Sequence, residues 1–258
     1  VRYLPASRSR ATVGAAVVAV LVGCSPAPEP APPSTPSSSA VAPTTAPETT
    51  ATVVAPPPPA PPPPAPPAPP VDPPPATTHP VTAAELGASW RPDCPVDPAQ
   101  LRRINLSHID FEGQTRRGDL VVHQDLADEV IEIFGELYRM RYPIAKMVTL
   151  DHYPGASDEA SMEDNNTSAF NCRRIPGSGS WSFHARGRAI DINPVLNPFI
   201  DGSGAVEPRN GAPFVDRRRV DAGTLHDGGS AVRAFTDRGW VWGGHWRSPL
   251  DYQHFEHR

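Results

Sequence analysis

Two short stretches of this 258-residue chain carry side chains suited to metal chemistry. The first is SWSFHARGRAIDINP, residues 180–194, in which His184 and Asp191 flank Gly187. Glycine accepts backbone conformations that residues with a Cβ resist, so Gly187 can turn the chain and let His184 swing back. Arg188 to Asn193 then read as a strand with Ala189, Asp191 and Asn193 on one face and Ile190 and Ile192 toward a core. One nitrogen and one oxygen ligand do not make a catalytic zinc site, which usually takes three protein ligands and keeps a fourth position open. The best source of a third is the C-terminal SPLDYQHFEHR, residues 248–258, where Asp251 and His254 stand three apart in a strand-like aromatic segment.

Taken in order, Ser182-x-His184-x-x-Gly187-x-Ala189-x-Asp191 and Asp251-x-x-His254-Phe255-Glu256 resemble the motifs of the VanY/VanX-type D-alanyl-D-alanine carboxypeptidases. They also resemble those of the related phage and bacterial L-alanyl-D-glutamate endopeptidases, over about residues 95–258. The resemblance implies Zn2+ held by His184, Asp191 and His254 in a small α+β domain shared with hedgehog signalling domains. It gives Asp251 the place of the general base, which accepts a proton as water attacks a peptide carbonyl. The carboxypeptidase branch often has glutamate there, and an aspartate followed by His-Phe-Glu is closer to the endopeptidase branch. The family also uses an upstream arginine to hold the oxyanion, and Arg173 of TSAFNCRR is the candidate, with Arg174 pointing to the opposite side of a strand. Ser182 either bonds the substrate or a ligand, or shapes the turn. Glu256 is either a partner for a ligand imidazole or a solvated strand residue. Trp242 and Trp246 are expected to pack beside the site, and His152, His226, His245 and His257 to be structural or solvent-exposed.

These residues need a framework of helices and mostly antiparallel strands, an α+β class. Ile104, Leu106 and Ile109–Phe111 read as one extended element and Leu120–His123 as the next. A helix is predicted from Asp125, its cap, through Ala127, Val130, Ile131, Phe134, Leu137, Tyr138 and Arg141, until Pro143 stops it. IAKMVTL, residues 144–150, reads as a buried strand, and residues 151–169 as an acidic, polar loop. After a Pro/Gly-rich loop over 194–227, Ser230 is expected to cap a short helix that ends at Gly239. Two strand-like segments, Trp240–Trp242 and Tyr252–Glu256, close the chain.

Composition divides the chain. Of its 36 prolines, 24 fall between Pro26 and Pro80, in a stretch with almost no large apolar residue to bury. Residues 24–88 are therefore expected to form a disordered polyproline II tether, which at about 3.1 Å per residue spans on the order of 200 Å. The peptidase domain is expected to begin at Ser89 and to occupy 89–258. Ahead of the tether, Arg2, Arg8 and Arg10 precede an apolar run from Ala11 to Val22, the layout of a signal peptide over 1–23. Leu21-Val22-Gly23-Cys24 resembles a bacterial lipobox, which implies lipidation of Cys24. Cys94 and Cys172, exported to an oxidising compartment, either pair as a disulfide or remain two free thiols.

The formal net charge of -5 argues against a nucleic-acid partner. Arg217-Arg218-Arg219, lying between Asp216 and Asp221, reads as a solvated face. The expectation is a monomeric lipoprotein on the outer face of a bacterial membrane, its domain reaching wall stem peptides as a zinc peptidase. A non-hydrolytic zinc module that binds wall peptide or a partner is the alternative.

Overall fold

The computed structural model of the protein describes residues 71–258. The expected signal segment, Cys24 and the tether as far as residue 70 lie outside the described residues. The described chain opens on strand β1 (Thr77–Pro80) and a one-turn helix α1 (Ala83–Leu86). Thr82 and Glu85 cap each other: Glu85 N donates to Thr82 Oγ1 at 3.3 Å and Thr82 N to Glu85 Oε2 at 2.8 Å. β1 lies antiparallel to β2 (Leu101–Ile109), from Thr77 opposite Asn105 to Pro80 opposite Arg102. This corrects the expected domain start at Ser89. β1 is an edge strand, where proline is tolerated, and Val81 and Leu86 behind it are buried in a small core with Leu101, Val121 and Phe170.

β2 continues into β3 (Thr115–His123), and the two form one hairpin, nine residues on each strand, in register from Leu101 opposite His123 to Ile109 opposite Thr115. Asp110 builds its turn. One carboxylate oxygen accepts from Glu112 N and Gln114 N, at 3.0 and 2.7 Å, and the other from Arg116 Nε at 2.6 Å. Helix α2 (Ala127–Arg139) follows and turns Val130, Ile133, Phe134 and Leu137 into the main core. It begins later than expected because residues 124–126 form a 3-10 turn; Asp125 sits on that turn and faces Arg188, with Oδ2 3.4 Å from Nη2.

The expected strand over 144–150 shrinks to β4 (Lys146–Met147). It is joined in parallel, beyond helix α3 (Asp158–Glu163), by β5 (Asn166–Thr167). The Asn166 amide ends the ladder. Its Oδ1 accepts from Val148 N at 2.8 Å and its Nδ2 donates to Val148 O at 2.9 Å, which takes the hydrogen bonds that a longer strand would need. The acidic loop therefore holds a helix and a strand that its composition concealed.

β6 (Ala189–Asp191) enters the centre of the domain. The segment from 194 to 227 carries the pair β7 (Phe199–Ile200) and β8 (Val206–Glu207) and is clamped by Arg217. Arg217 donates to Leu196 O at 2.8 Å and Asn197 Oδ1 at 3.0 Å and covers the Tyr252 ring, 4.6 Å from its centroid. The solvated-face expectation therefore fails for Arg217, while Arg218 and Arg219 pair outward with Asp216 and Asp221.

Helix α4 (Ser230–Thr236), capped at Gly229 and not Ser230, precedes β9 (Val241–Trp242), β10 (Leu250–Asp251) and β11 (His254–Glu256). β11 lies between β6 and β9, antiparallel to both. Phe255 stacks on Phe235 of α4 with ring centroids 4.0 Å apart, and Phe235 meets Phe134 of α2 edge to face. The result is the expected α+β domain, with four small sheets among the described residues that are antiparallel except for the β4–β5 pair. No helix of the described residues is long and apolar enough to cross a membrane.

Candidate metal centre

Asp191 ends β6 and stands opposite His254, the first residue of β11. Directly opposed residues in an antiparallel pair project to the same face, so this register alone brings the two side chains together. Ile190, Ile192 and Phe255, which alternate with them, are fully buried on the other side and lock the register.

His184 arrives from a 3-10 turn, Phe183–Arg186. Ser182 caps that turn by accepting from His184 N at 3.2 Å, and Ser182 is 95% buried, with a relative exposure of 5%. Of the two roles expected for Ser182, the structure shows the one that shapes the turn. Gly187 closes the turn in the left-handed region, with φ 66° and ψ 26°. A Cβ there would lie 2.6 Å from His123 N and 2.7 Å from Leu101 Cδ2. Gly187→Ala is therefore expected to combine backbone strain with overpacking against β2 and β3, at a cost of about 2–4 kcal/mol, and to displace His184. A melting temperature and metal affinity both equal to wild type would contradict this.

The three side chains converge. His184 Nε2 lies 3.1 Å from Asp191 Oδ2 and 3.1 Å from His254 Nδ1, and His254 Nδ1 lies 3.0 Å from Asp191 Oδ1. The outer nitrogens have their own partners. His184 Nδ1 donates to Ala169 O at 2.5 Å, and His254 Nε2 donates to Glu256 Oε2 at 3.3 Å. With those protons placed outward, both inner nitrogens present lone pairs to one another and to a carboxylate. Only a positive charge among them satisfies such a donor set, and two imidazoles with a carboxylate suit zinc.

The electrostatics agree. Burial opposes a charged His254, yet hydrogen bonding to Asp191 and Glu256 outweighs it and pushes that imidazole up to about 10. Burial likewise opposes ionisation of Asp191, but the two imidazoles hold it well below the usual carboxylate range. All three residues are buried, at 2% exposure for His184, 3% for Asp191 and 6% for His254, and together they form a group able to hold a metal ion.

Asp251 closes β10 beside this group. Burial, reinforced by the like charge of Asp191, pushes its carboxyl up to about 6 against the opposing pull of His254, His184 and Arg173. Its Oδ1 is buried without a hydrogen-bond partner. Gly243 permits the close packing of β10, since a Cβ there would lie 2.5 Å from Asp251 O. Arg173 comes from the segment running beside the His184 turn, where its carbonyl accepts from Ser182 N at 3.1 Å. Burial works against its charge, and Asp158, Asp191 and Asp251 more than compensate. Arg174 points away and covers the Trp181 ring at 4.0 Å.

Cys94 and Cys172 form a disulfide, with Cα atoms 5.8 Å apart, that anchors the residue before Arg173. Trp246 packs on His254 with ring centroids 5.4 Å apart, whereas Trp242 is buried in the core and donates to Tyr252 O at 2.9 Å. Two contributors were not singled out from sequence. The Ala169 carbonyl orients His184, and no side-chain pattern marks a backbone acceptor. Asn193, in the left-handed region at φ 44°, ties Ala145 N, Pro143 O and Gly223 O to the end of β6.

A family model described as D-alanyl-D-alanine carboxypeptidase matches residues 176–257, about a third of the chain. That span holds His184, Asp191, Asp251, His254 and Glu256, and Arg173 lies just ahead of it. No curated protein and no solved structure matched the chain. The span 176–257, similar to the D-alanyl-D-alanine carboxypeptidase family, thus holds the His/Asp/His group joined across β6 and β11 and the half-buried Asp251 beside it.

Proposed function

We propose that the protein is a zinc-dependent peptidase that hydrolyses peptidoglycan stem peptides, exported and anchored through a lipid on Cys24. The observation that carries the reading is the pair of inward imidazole nitrogens, 3.1 Å apart over the Asp191 carboxylate, with Asp251 and Arg173 alongside. A bound zinc ion supplies Lewis acidity toward both water and the scissile carbonyl. His184, Asp191 and His254 hold it, each fixed by a hydrogen bond or a strand register. Asp251, destabilised as an anion by burial, takes the proton of the attacking water and passes it to the leaving amine. Arg173 donates to the oxygen on which negative charge develops. The long proline-rich tether suits an anchored domain that samples wall polymer.

The test incubates the full chain with zinc and purified muropeptides and identifies the products by mass. Release of D-alanine assigns a D,D-carboxypeptidase, and cleavage between L-alanine and D-glutamate an endopeptidase. Asp251→Asn preserves shape and removes the base, and is expected to lower kcat by about 10²–10⁴-fold with zinc content unchanged. Absence of product from the wild-type chain, with muropeptide still bound, would replace this reading by a non-hydrolytic wall-binding module.

A further inference from the structure

Arg173 has an unusual electrostatic position, with three carboxylates, Asp158, Asp191 and Asp251, close enough to act on its charge. Asp158 is the one in ion-pair contact, its Oδ2 2.9 Å from Arg173 Nε. Its other oxygen accepts from Asn171 Nδ2 at 3.1 Å. Asn171 is itself tied to the metal centre, since its N–H donates to His184 O at 3.3 Å. Asp158 therefore grips two alternate residues of the segment that lies along the His184 turn. Between them Cys172 is immobilised by the disulfide, by Arg91 Nη1 donating to its carbonyl at 2.6 Å, and by its own N–H donating to Ser89 O at 3.0 Å. The backbone at 171–173 is thus rigid, while the Arg173 side chain depends on Asp158.

We infer that Asp158 is a positioning residue for Arg173, an inference that rests on the peptidase reading. It holds the guanidinium through the charge contact at the buried Nε, which makes no hydrogen bond within the described residues, and leaves the Nη groups available to an oxyanion. It also competes with Asp251 for the cation. Without that competition Arg173 pairs with Asp251, and one contact removes both the oxyanion donor and the free base.

The test uses the full, zinc-loaded chain. Asp158→Asn keeps an oxygen for Asn171 and deletes the charge. Its kcat on muropeptide is expected to fall about 10–100-fold, with KM within about threefold of wild type, and with zinc content and melting temperature unchanged. Asp158→Glu is expected to recover part of the loss. In an Arg173→Ala background, Asp158→Asn should cost nothing further, whereas a purely structural role would cost the same in either background. A kcat equal to wild type, or losses that multiply in the double variant, would overturn the inference.

A second readout does not need turnover. The Arg173 Nε–H, buried against the Asp158 carboxylate and assigned by its loss in Arg173→Lys, is expected to exchange slowly with water in wild type and rapidly in Asp158→Asn. Equal exchange in both overturns the positioning role. A wild-type chain that cleaves nothing counts against the peptidase reading alone, and the exchange measurement still decides whether Asp158 holds Arg173.

Discussion

His254→Ala is expected to abolish stoichiometric zinc binding and to bring kcat/KM down by at least about 10³-fold, the larger part through loss of the metal. The argument is geometric. His254 supplies the nitrogen that lies 3.1 Å from His184 Nε2 and 3.0 Å from Asp191 Oδ1, so its removal leaves one nitrogen and one carboxylate, too few for a structural grip on zinc. Glu256→Gln provides the control. It keeps a side-chain acceptor near His254 Nε2 but removes the charge that sets the ring's tautomer, so zinc affinity is expected to weaken by about 10–100-fold with stoichiometry retained at saturating metal. Metal analysis after dialysis and a chelator competition separate the two. Retention of one zinc per chain by His254→Ala, at wild-type affinity, would remove His254 from the site.

The ordering of these effects bears on which parts of the site could be read from the chain itself. His184 and Asp191 are legible because a single glycine turn separates them, and the physical need for φ above zero at Gly187 is visible in the residue type. His254 is legible as a candidate ligand in a strand-like aromatic segment, but its contact with Asp191 arises from strand register, and register depends on which faces of β6 and β11 are buried. Ser182 was ambiguous for a related reason: an extended chain would point it with His184, whereas the 3-10 turn folds its hydroxyl under the His184 N–H. Asp158 was not legible at all. Residues 151–169 contain five acids, and only the fold of α3 and the segment 169–173 selects one of them to face Arg173. The same loop concealed Asn166, whose amide imitates a strand backbone and so cuts the predicted 144–150 strand to two residues.

Composition hides where the domain begins, and the difference between the two boundaries is measurable. A chain that starts at Ser89 is expected to melt about 6–24 °C below one that starts at Val71. Prolines dominate the average over 24–88 and mask the local Thr82–Glu85 capping pair and the alternation of Thr77–Pro80 along the edge of β2. Deleting 71–88 removes Val81 and Leu86, exposed only 4% and 1%, from a core shared with Leu101, Val121 and Phe170. At about 1.5–3 kcal/mol for each buried side chain, that is roughly 3–6 kcal/mol before the β1–β2 hydrogen bonds are counted. A domain of this size shifts by about 2–4 °C per kcal/mol, which gives the expected range. The loss should reach the site as well. Leu101 is one of the residues that Gly187 packs against, and Phe170 N donates to Val121 O at 3.1 Å next to the Ala169 carbonyl that orients His184. Zinc affinity of the shorter chain should therefore fall together with its melting temperature. Equal melting temperatures for the two chains would show that β1 and α1 decorate the domain instead of completing it, and would return the boundary to Ser89.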